Sequence, residues 1–385
     1  MHPRAQRIAL CEISPVFVSV IFRPRTMRNL TFAEDQNYTE FHFCDPYVYP
    51  EAFFFYGILY PSVAILTVIT NILVVGVFLK QKMKSPTTTL LIGLAIGDAG
   101  VGAATLPLHI YYHSLENYMY TMEYPWCIYY HMAPVVSTIL HTVSVWVTTV
   151  LGVQRYLVVS HPFVGPKYCT IKLSVIILLC VYALATGMYL PQFFYFNFKK
   201  TYVDNGYGYM VYVCECWQTG LPAQYESKLK ILKLSLAKLI PCFILTITTI
   251  LLVRKLDMEA RQSARLHADH QLEEGETREA RLIRRTSLMI VVIVVCCLAV
   301  EVPNGLRLLI KTIDVGAIDP KTDLFLIAVL NACTLLNFHI NFWIYVCMSQ
   351  EFRKNLRAIF CRWNVKYQKV HLLSQGSMKT TTENL

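Results

Sequence analysis

Asp98, Lys238, Glu301 and Arg307 are ionisable residues standing inside long apolar stretches of this 385-residue chain. A charge in hydrocarbon costs about 3 kcal/mol on insertion scales, so such residues pair with one another or mark a binding site. Glu301 lies two residues before Pro303 and Lys238 three before Pro241, where a proline interrupts a helix. Two readings stay open for these two. One is a neutralising pair with no further role. In the other, Glu301 sits at the floor of a cavity and receives a cationic ligand group, while Arg307 receives an anionic or carbonyl group. His141 and Asn304 complete the candidate ligand-binding set of Glu301, Lys238 and Arg307.

Further polar groups share the apolar stretches. Asn71, Ser144, Asn337 and Asn341 stand at depths close to that of Asp98. Their oxygens could converge on one small cation such as sodium (Asp98 and Ser144 first) or on water; a hydrogen-bond network holding helices together is the plainer alternative. Between Glu123 and Arg155 there are 31 positions without a charge, so Arg155 stands where a long helix leaves lipid. No Gly-rich phosphate loop, Cys-x-x-Cys pair or HExxH occurs. His141, Thr142 and Ser144 are spaced for helix packing rather than for a triad, so enzyme chemistry is not expected.

The elements that position these residues follow from hydropathy. The chain is 55% hydrophobic and 16% charged, with a mean hydropathy of +0.42, far from the balance of a soluble protein. Seven apolar spans are expected at about 53–79, 85–113, 125–158, 173–198, 229–253, 286–310 and 324–350, each long enough for one crossing. The fold class is therefore an all-α membrane protein, a seven-helix bundle. Its divisions are 1–51 as an extracellular segment, 52–350 as the helix domain, 351–363 as an amphipathic surface helix and 364–385 as a cytoplasmic tail.

The net charge of +10 resides in short connectors, a sign of membrane orientation rather than nucleic-acid binding. Lys80, Lys82, Lys84, Lys167, Lys172, Arg254, Lys255, Arg281, Arg284 and Arg285 mark one side as cytoplasmic. Asn29 and Asn37 head the chain's two N-glycosylation triplets, both before the first span, which places the N-terminus outside. Five arginines in that N-terminal segment run against the rule, and Ile8–Phe22 leaves a signal peptide open.

Asp204-Asn205-Gly206 between alternating Tyr and Val predicts a β-hairpin in the outer loop after span four. Cys44, Cys127, Cys214 and Cys216 fall on that oxidising side. A disulfide from Cys127 to Cys214 or Cys216 would tie the hairpin to the bundle. The connector 254–285, with eight basic and seven acidic residues, reads as helical extensions of spans five and six. Phe352, Leu356, Ile359 and Phe360 give 351–363 one apolar face for contact with membrane lipids. Cys361 is either a palmitoylation site or a plain thiol, and Ser374, Ser377 and Thr380 to Thr382 are phosphosite candidates by composition. Seven spans without an internal repeat argue against a transporter.

Over residues 52 to 363 the chain resembles rhodopsin-like G-protein-coupled receptors. The matching residues are Asn71 in TNILV, Leu94 to Asp98 in LAIGD, Cys127, Gln154-Arg155-Tyr156, Pro241, Pro303 and Asn341 to Tyr345. HTVSVWVTTVLGVQRYLVVSHP, SLMIVVIVVCCLAVEVP and NFWIYVCMSQEFR are similar to the invertebrate sex-peptide/myoinhibitory-peptide receptors and their myosuppressin and FMRFamide-related relatives. In this resemblance Glu301 stands where most members have Trp and Phe342 where they have Pro.

The resemblance implies a plasma-membrane receptor for a short amidated neuropeptide, and Glu301 as the anchor of a cationic group would make that peptide arginine-containing. It implies signalling to a heterotrimeric G protein, often inhibitory, through Arg155, Tyr156 and Tyr345, with an arrestin as a further partner. It also implies a sodium pocket of Asp98, Ser144, Asn337 and Asn341. Ser137 stands where amine receptors carry an acid, and no lysine lies between Lys321 and Lys354 to hold retinal. Gln154 and the basic Arg284-Arg285 leave Arg155 without its usual acidic partners, and Thr249 replaces a common tyrosine, so raised basal signalling is a possible consequence. A chemoreceptor for small external ligands is the competing reading, and a channel or transporter the remoter one.

Overall fold

A computed structural model describes residues 53–80, 85–115, 124–163, 165–194, 196–204, 210–218, 223–269, 278–314 and 316–359; at Pro166, 201–204, 210–218, 223–227, 263–269 and 278–281 only the backbone is described. Seven helices among these residues are long and apolar enough to cross a bilayer. They are α1 (Tyr60–Lys80), α2 (Pro86–Leu108), α3 (Tyr124–Ser160), α4 (Ile171–Tyr189), α5 (Ala223–Leu234 and Ile240–Asp269, joined by a π-turn), α6 (Arg278–Ile313) and α7 (Pro320–Met348). A further helical stretch, 350–359, is α8.

Local chemistry sets where these helices start. Ser85 caps α2, its Oγ accepting from the Thr88 N–H at 3.1 Å, with Pro86 next in line. Thr170 caps α4 in the same way through Leu173 N–H. Asp319 caps α7, accepting from the N–H groups of Lys321 and Thr322 ahead of an N1 proline. A side-chain oxygen at this position satisfies donors that the first helical turn leaves open.

Three π-turns sit near prolines: Phe54–Leu59 before α1, His109–Ser114 after α2, and Ser235–Leu239 within α5. Pro61 cannot donate to the carbonyl of Gly57 four residues back, and that oxygen accepts from Ser114 Oγ at 2.6 Å. In α5 the extra residue of the π-turn shifts the helical register and brings Ala237 and Lys238 inward, both buried. The Leu236 carbonyl in the same turn accepts from Trp146 Nε1 at 3.0 Å.

α3 is the axis of the bundle, with 78% of its most apolar window buried, whereas α4, at 17%, rides on the outside. The main apolar core joins Val74, Leu94, Val147, Leu151, Leu245, Ile290 and Ile293 with the rings of Phe342, Tyr345 and Phe352. Because lipid is as apolar as leucine, close packing rather than water exclusion holds such helices together.

The fourth apolar run ends earlier as a helix than its hydropathy suggests. Helix gives way to a 3₁₀ turn at Leu190–Phe194, which includes Pro191, and Phe196 already begins a strand. Strand β1 (Phe196–Asp204) pairs antiparallel with β2 (Met210–Gln218), Phe196 opposite Gln218 and Asp204 opposite Met210. Phe196 and Phe198, two apart and so on one strand face, pack on Cys127 and Tyr124 at the start of α3.

The expected surface helix is described only to residue 359. Phe352 is fully buried between Phe78 and Tyr345, with ring centroids 5.6 Å from each, and Leu356 and Ile359 lean on the same core. Arg353 Nη1 donates to the carbonyls of Val346 and Cys347 at 3.0 and 2.8 Å, satisfying the last turn of α7. Phe352→Ala is expected to weaken this docking by roughly 3 kcal/mol, the usual cost of a buried Phe→Ala cavity. Hydrogen exchange of residues 350–359 in the purified protein should then accelerate while that of α3 stays unchanged.

Candidate functional site

Polar side chains inside the bundle fall into layers between the end bearing Cys127 and the end bearing Arg155. In the middle layer three helices meet through charge. Lys238 Nζ of α5 donates to Glu301 Oε2 of α6 at 2.5 Å, and His141 Nε2 of α3 lies 3.1 Å from Glu301 Oε1 and 2.6 Å from Lys238 Nζ. All three are buried, with side chains 1% to 4% exposed. Both oxygens of Glu301 are therefore engaged by the chain's own cation and imidazole. The neutralising pair is formed, as an uncompensated charge at this depth is costlier than a paired one. Towards the Cys127 end, Ser137 Oγ, His141 Nδ1, Asn304 Nδ2 and Arg307 Nε are buried without a hydrogen-bond partner.

Arg307 also has an internal partner. Its Nη1 donates to Asp323 Oδ1, and Lys311 Nζ donates to Asp323 Oδ2 at 2.7 Å. Asp323 was not among the residues picked from the sequence. An acid in the first turn of a helix suits the helix dipole wherever it points, so only the approach of α6 reveals its role. A second group escaped notice as well. His109 and His113 stack on one another, with ring centroids 5.4 Å apart, and on Tyr56, while Tyr60 lies 4.0 Å from His109. The i, i+4 spacing of the two histidines was legible; the rings facing them from α1 were not.

The next layer gathers the predicted oxygens. Asn341 Nδ2 of α7 donates to Asp98 Oδ2 of α2 at 3.1 Å. Ser144 of α3 lies beside the Asp98 carboxylate, and Asn337 Oδ1 and Asn341 Oδ1 are buried with no hydrogen-bond partner. Gly97 lets α3 come this near: a Cβ there would stand 2.8 Å from Ser144 Oγ. Asn71 serves packing instead, donating to the carbonyls of Thr67 and Phe338 and so tying α1 to α7. The oxygens around Asp98 are a hard, carboxylate-bearing donor set of the kind that suits sodium or ordered water.

At the far end Arg155 is 8% exposed. Its Nη2 donates to Thr87 Oγ1 of α2, 2.5 Å away, and among the described residues no carboxylate lies within ion-pair distance. Arg155 Nε and Gln154 Oε1 are buried without partners. A neutral hydroxyl is thus the group that meets this guanidinium. Tyr156 packs with Val159, Leu252 and Leu256, and Tyr345 is buried against Phe78 and Phe352.

Cys127 is disulfide-bonded and buried. Its partner lies outside the described side chains; Cys214 and Cys216 are described by their backbones alone, which pair with Lys200 and Phe198. Asn29, Asn37, Cys44, Phe360, Cys361 and the tail also lie outside the described residues.

A seven-helix membrane bundle with buried polar layers and an arginine at one mouth is an architecture that membrane signalling receptors share. Residues 70–349 match the family described as "7 transmembrane receptor (rhodopsin family)", and the chain belongs to that family. It is 29% identical over 323 residues to the sex peptide receptor of Drosophila melanogaster, covering 79% of this chain and 72% of that one. It is 25% identical to sex peptide receptor-related protein 2 of Caenorhabditis elegans, covering 80% and 71%. The FMRFamide receptor of Drosophila melanogaster is 26% identical over 83% of this chain and 56% of its own length.

Asp323→Asn is expected to lower stability by about 3 kcal/mol or more, because it strips the counter-charge from a buried arginine. Lys311→Met leaves the Arg307–Asp323 pair intact and should cost much less. Thermal unfolding of the two detergent-solubilised variants checks the order.

Proposed function

We propose that the chain is a plasma-membrane receptor, N-terminus outside and C-terminus in the cytoplasm, for a short amidated neuropeptide, and that it signals through a heterotrimeric G protein. The observation that carries this reading is the set of unpartnered buried polar atoms on the Cys127 side of the middle layer: Ser137 Oγ, His141 Nδ1, Asn304 Nδ2 and Arg307 Nε. Buried polar groups normally have partners, so four without one favour a hydrogen-bonding ligand that supplies them. The acids of this half, Glu301 and Asp323, are already paired, which disfavours a simple amine. Peptide and carboxamide groups offer both donors and acceptors, and the names of the sex peptide and FMRFamide receptors support a peptide.

In this reading a cationic side chain of the peptide reaches Glu301 only by displacing Lys238. Binding shifts the population towards the conformation whose Arg155 end is open, and Arg155, Tyr156 and Tyr345 then meet the G protein. Asp98, Ser144, Asn337 and Asn341 are proposed to hold a sodium ion in the closed conformation, where the ion would neutralise the Asp98 carboxylate.

Screening matched libraries of short amidated and free-acid peptides on the expressed receptor, with a promiscuous G-protein readout, tests the ligand class. Responses confined to amidated peptides are expected; responses to small solutes and to no peptide would select the chemoreceptor reading. For the ion, replacing choline chloride by sodium chloride at equal ionic strength should raise the thermal unfolding midpoint of the purified receptor. Asp98→Asn should abolish that difference.

A further inference from the structure

We propose that His141, Lys238 and Glu301 form the clasp that keeps this receptor closed at rest, an ionic tie in the middle of the bundle that has to break before α6 can part from α5. This rests on the chain being a signalling receptor of its family whose helices rearrange, and not on what its ligand is.

The tie spans three helices, α3, α5 and α6, at two neighbouring contacts, 2.5 Å from Lys238 to Glu301 and 3.1 Å from His141 to Glu301. Both α5 and α6 carry a proline within a turn of it, Pro241 and Pro303. A proline removes one hydrogen bond of the helical ladder and makes that point a natural pivot. A π-turn, Ser235–Leu239, delivers Lys238 to the contact. At the Arg155 end, Arg155 meets the Thr87 hydroxyl and no carboxylate among the described residues, and the Gln154 amide oxygen has no partner. Among the described residues, the ionic tie that joins α3, α5 and α6 lies in the middle of the bundle.

The clasp is also incompletely satisfied, which suits a contact that must open. His141 Nε2 faces Lys238 Nζ at 2.6 Å and Glu301 Oε1 at 3.1 Å. One ring nitrogen either donates or accepts. With the ring hydrogen on Nδ1, Nε2 accepts from Lys238, but its lone pair points at a carboxylate oxygen and Nδ1–H meets no acceptor. With the hydrogen on Nε2, it serves Glu301 and opposes the hydrogens of Lys238. Protonating both nitrogens adds a positive charge beside Lys238 and still leaves Nδ1–H unanswered. No arrangement gives every atom a partner, and a half-satisfied buried network is a weaker bond than its short contacts suggest. Separation of α5 from α6 would leave the two charges apart in a dry interior, so the closed state is favoured until another charged group or water replaces one partner.

The test needs no ligand. Full-length receptor and variants are placed in bilayer discs, and basal nucleotide exchange is measured on a panel of purified heterotrimeric G proteins. Surface expression and thermal unfolding are followed in parallel. Lys238→Met and Glu301→Gln are each expected to raise basal exchange by about tenfold, the shift produced when one favoured state loses a tie that the other lacks. The neutral pair Lys238→Met with Glu301→Gln buries no unmatched charge, so it supplies the reading if a single variant fails to reach the membrane, and it too should be raised. Reversal, Lys238→Glu with Glu301→Lys, should bring exchange back towards the native level. Unchanged exchange in the well-folded neutral pair overturns the proposal. So does a reversal that restores thermal stability and leaves exchange high, since the cluster would then be structural only. Because no peptide is added, a failed peptide screen does not bear on this outcome.

Discussion

Hydrocarbon offers no partner to a polar group, and that single fact organises this molecule. Each backbone N–H and C=O within a span has to be answered inside the chain, which imposes the helix. Each charge has to meet a partner, an opposite charge or a hydrogen-bonding group, which decides how the helices meet. The Lys238–Glu301 pair and the Asp323 pairs with Arg307 and Lys311 are direct consequences. Between them they link α5 to α6 and α6 to α7.

Departures from regular helix show the same constraint at work. Prolines free carbonyl oxygens, and those oxygens or their neighbours are taken up by side chains from other helices. Ser114 reaches the Gly57 carbonyl and Trp146 the Leu236 carbonyl in this way. The π-turns are thus not defects in the spans. The one in α5 sets the rotation that buries Lys238; without that extra residue the lysine would face another direction and Glu301 would lose its counter-charge.

Some of the polar atoms that the chain leaves unanswered are gathered in two groups. One group lies around Asp98 and the other above the triad, towards Cys127. Polar atoms gathered in this way are suited to something the chain does not itself carry, an ion or a ligand. The Arg155 end differs in kind: there a hydroxyl, Thr87, holds the guanidinium that Gln154 cannot. A bond of that strength restrains less than a carboxylate would.

Seven apolar runs of bilayer length determined the architecture, since hydropathy and length suffice to require seven helices in lipid. Residue type alone also singled out Asp98, Lys238, Glu301, Arg307 and Arg155, because charge in such a run is rare. Sequence could name Lys238 and Glu301 as possible partners but could not decide between a closed pair and an open carboxylate. That choice depends on helix rotation, which the π-turn at Ser235–Leu239 sets and no local propensity signals. Asp323, Thr87 and the ring stack of Tyr56 with His109 were hidden for a related reason. Each is unremarkable in its own element and gains its role from a residue of another element, at a distance only the folded bundle closes. Spacing along one helix is written locally; contact between helices is decided by packing.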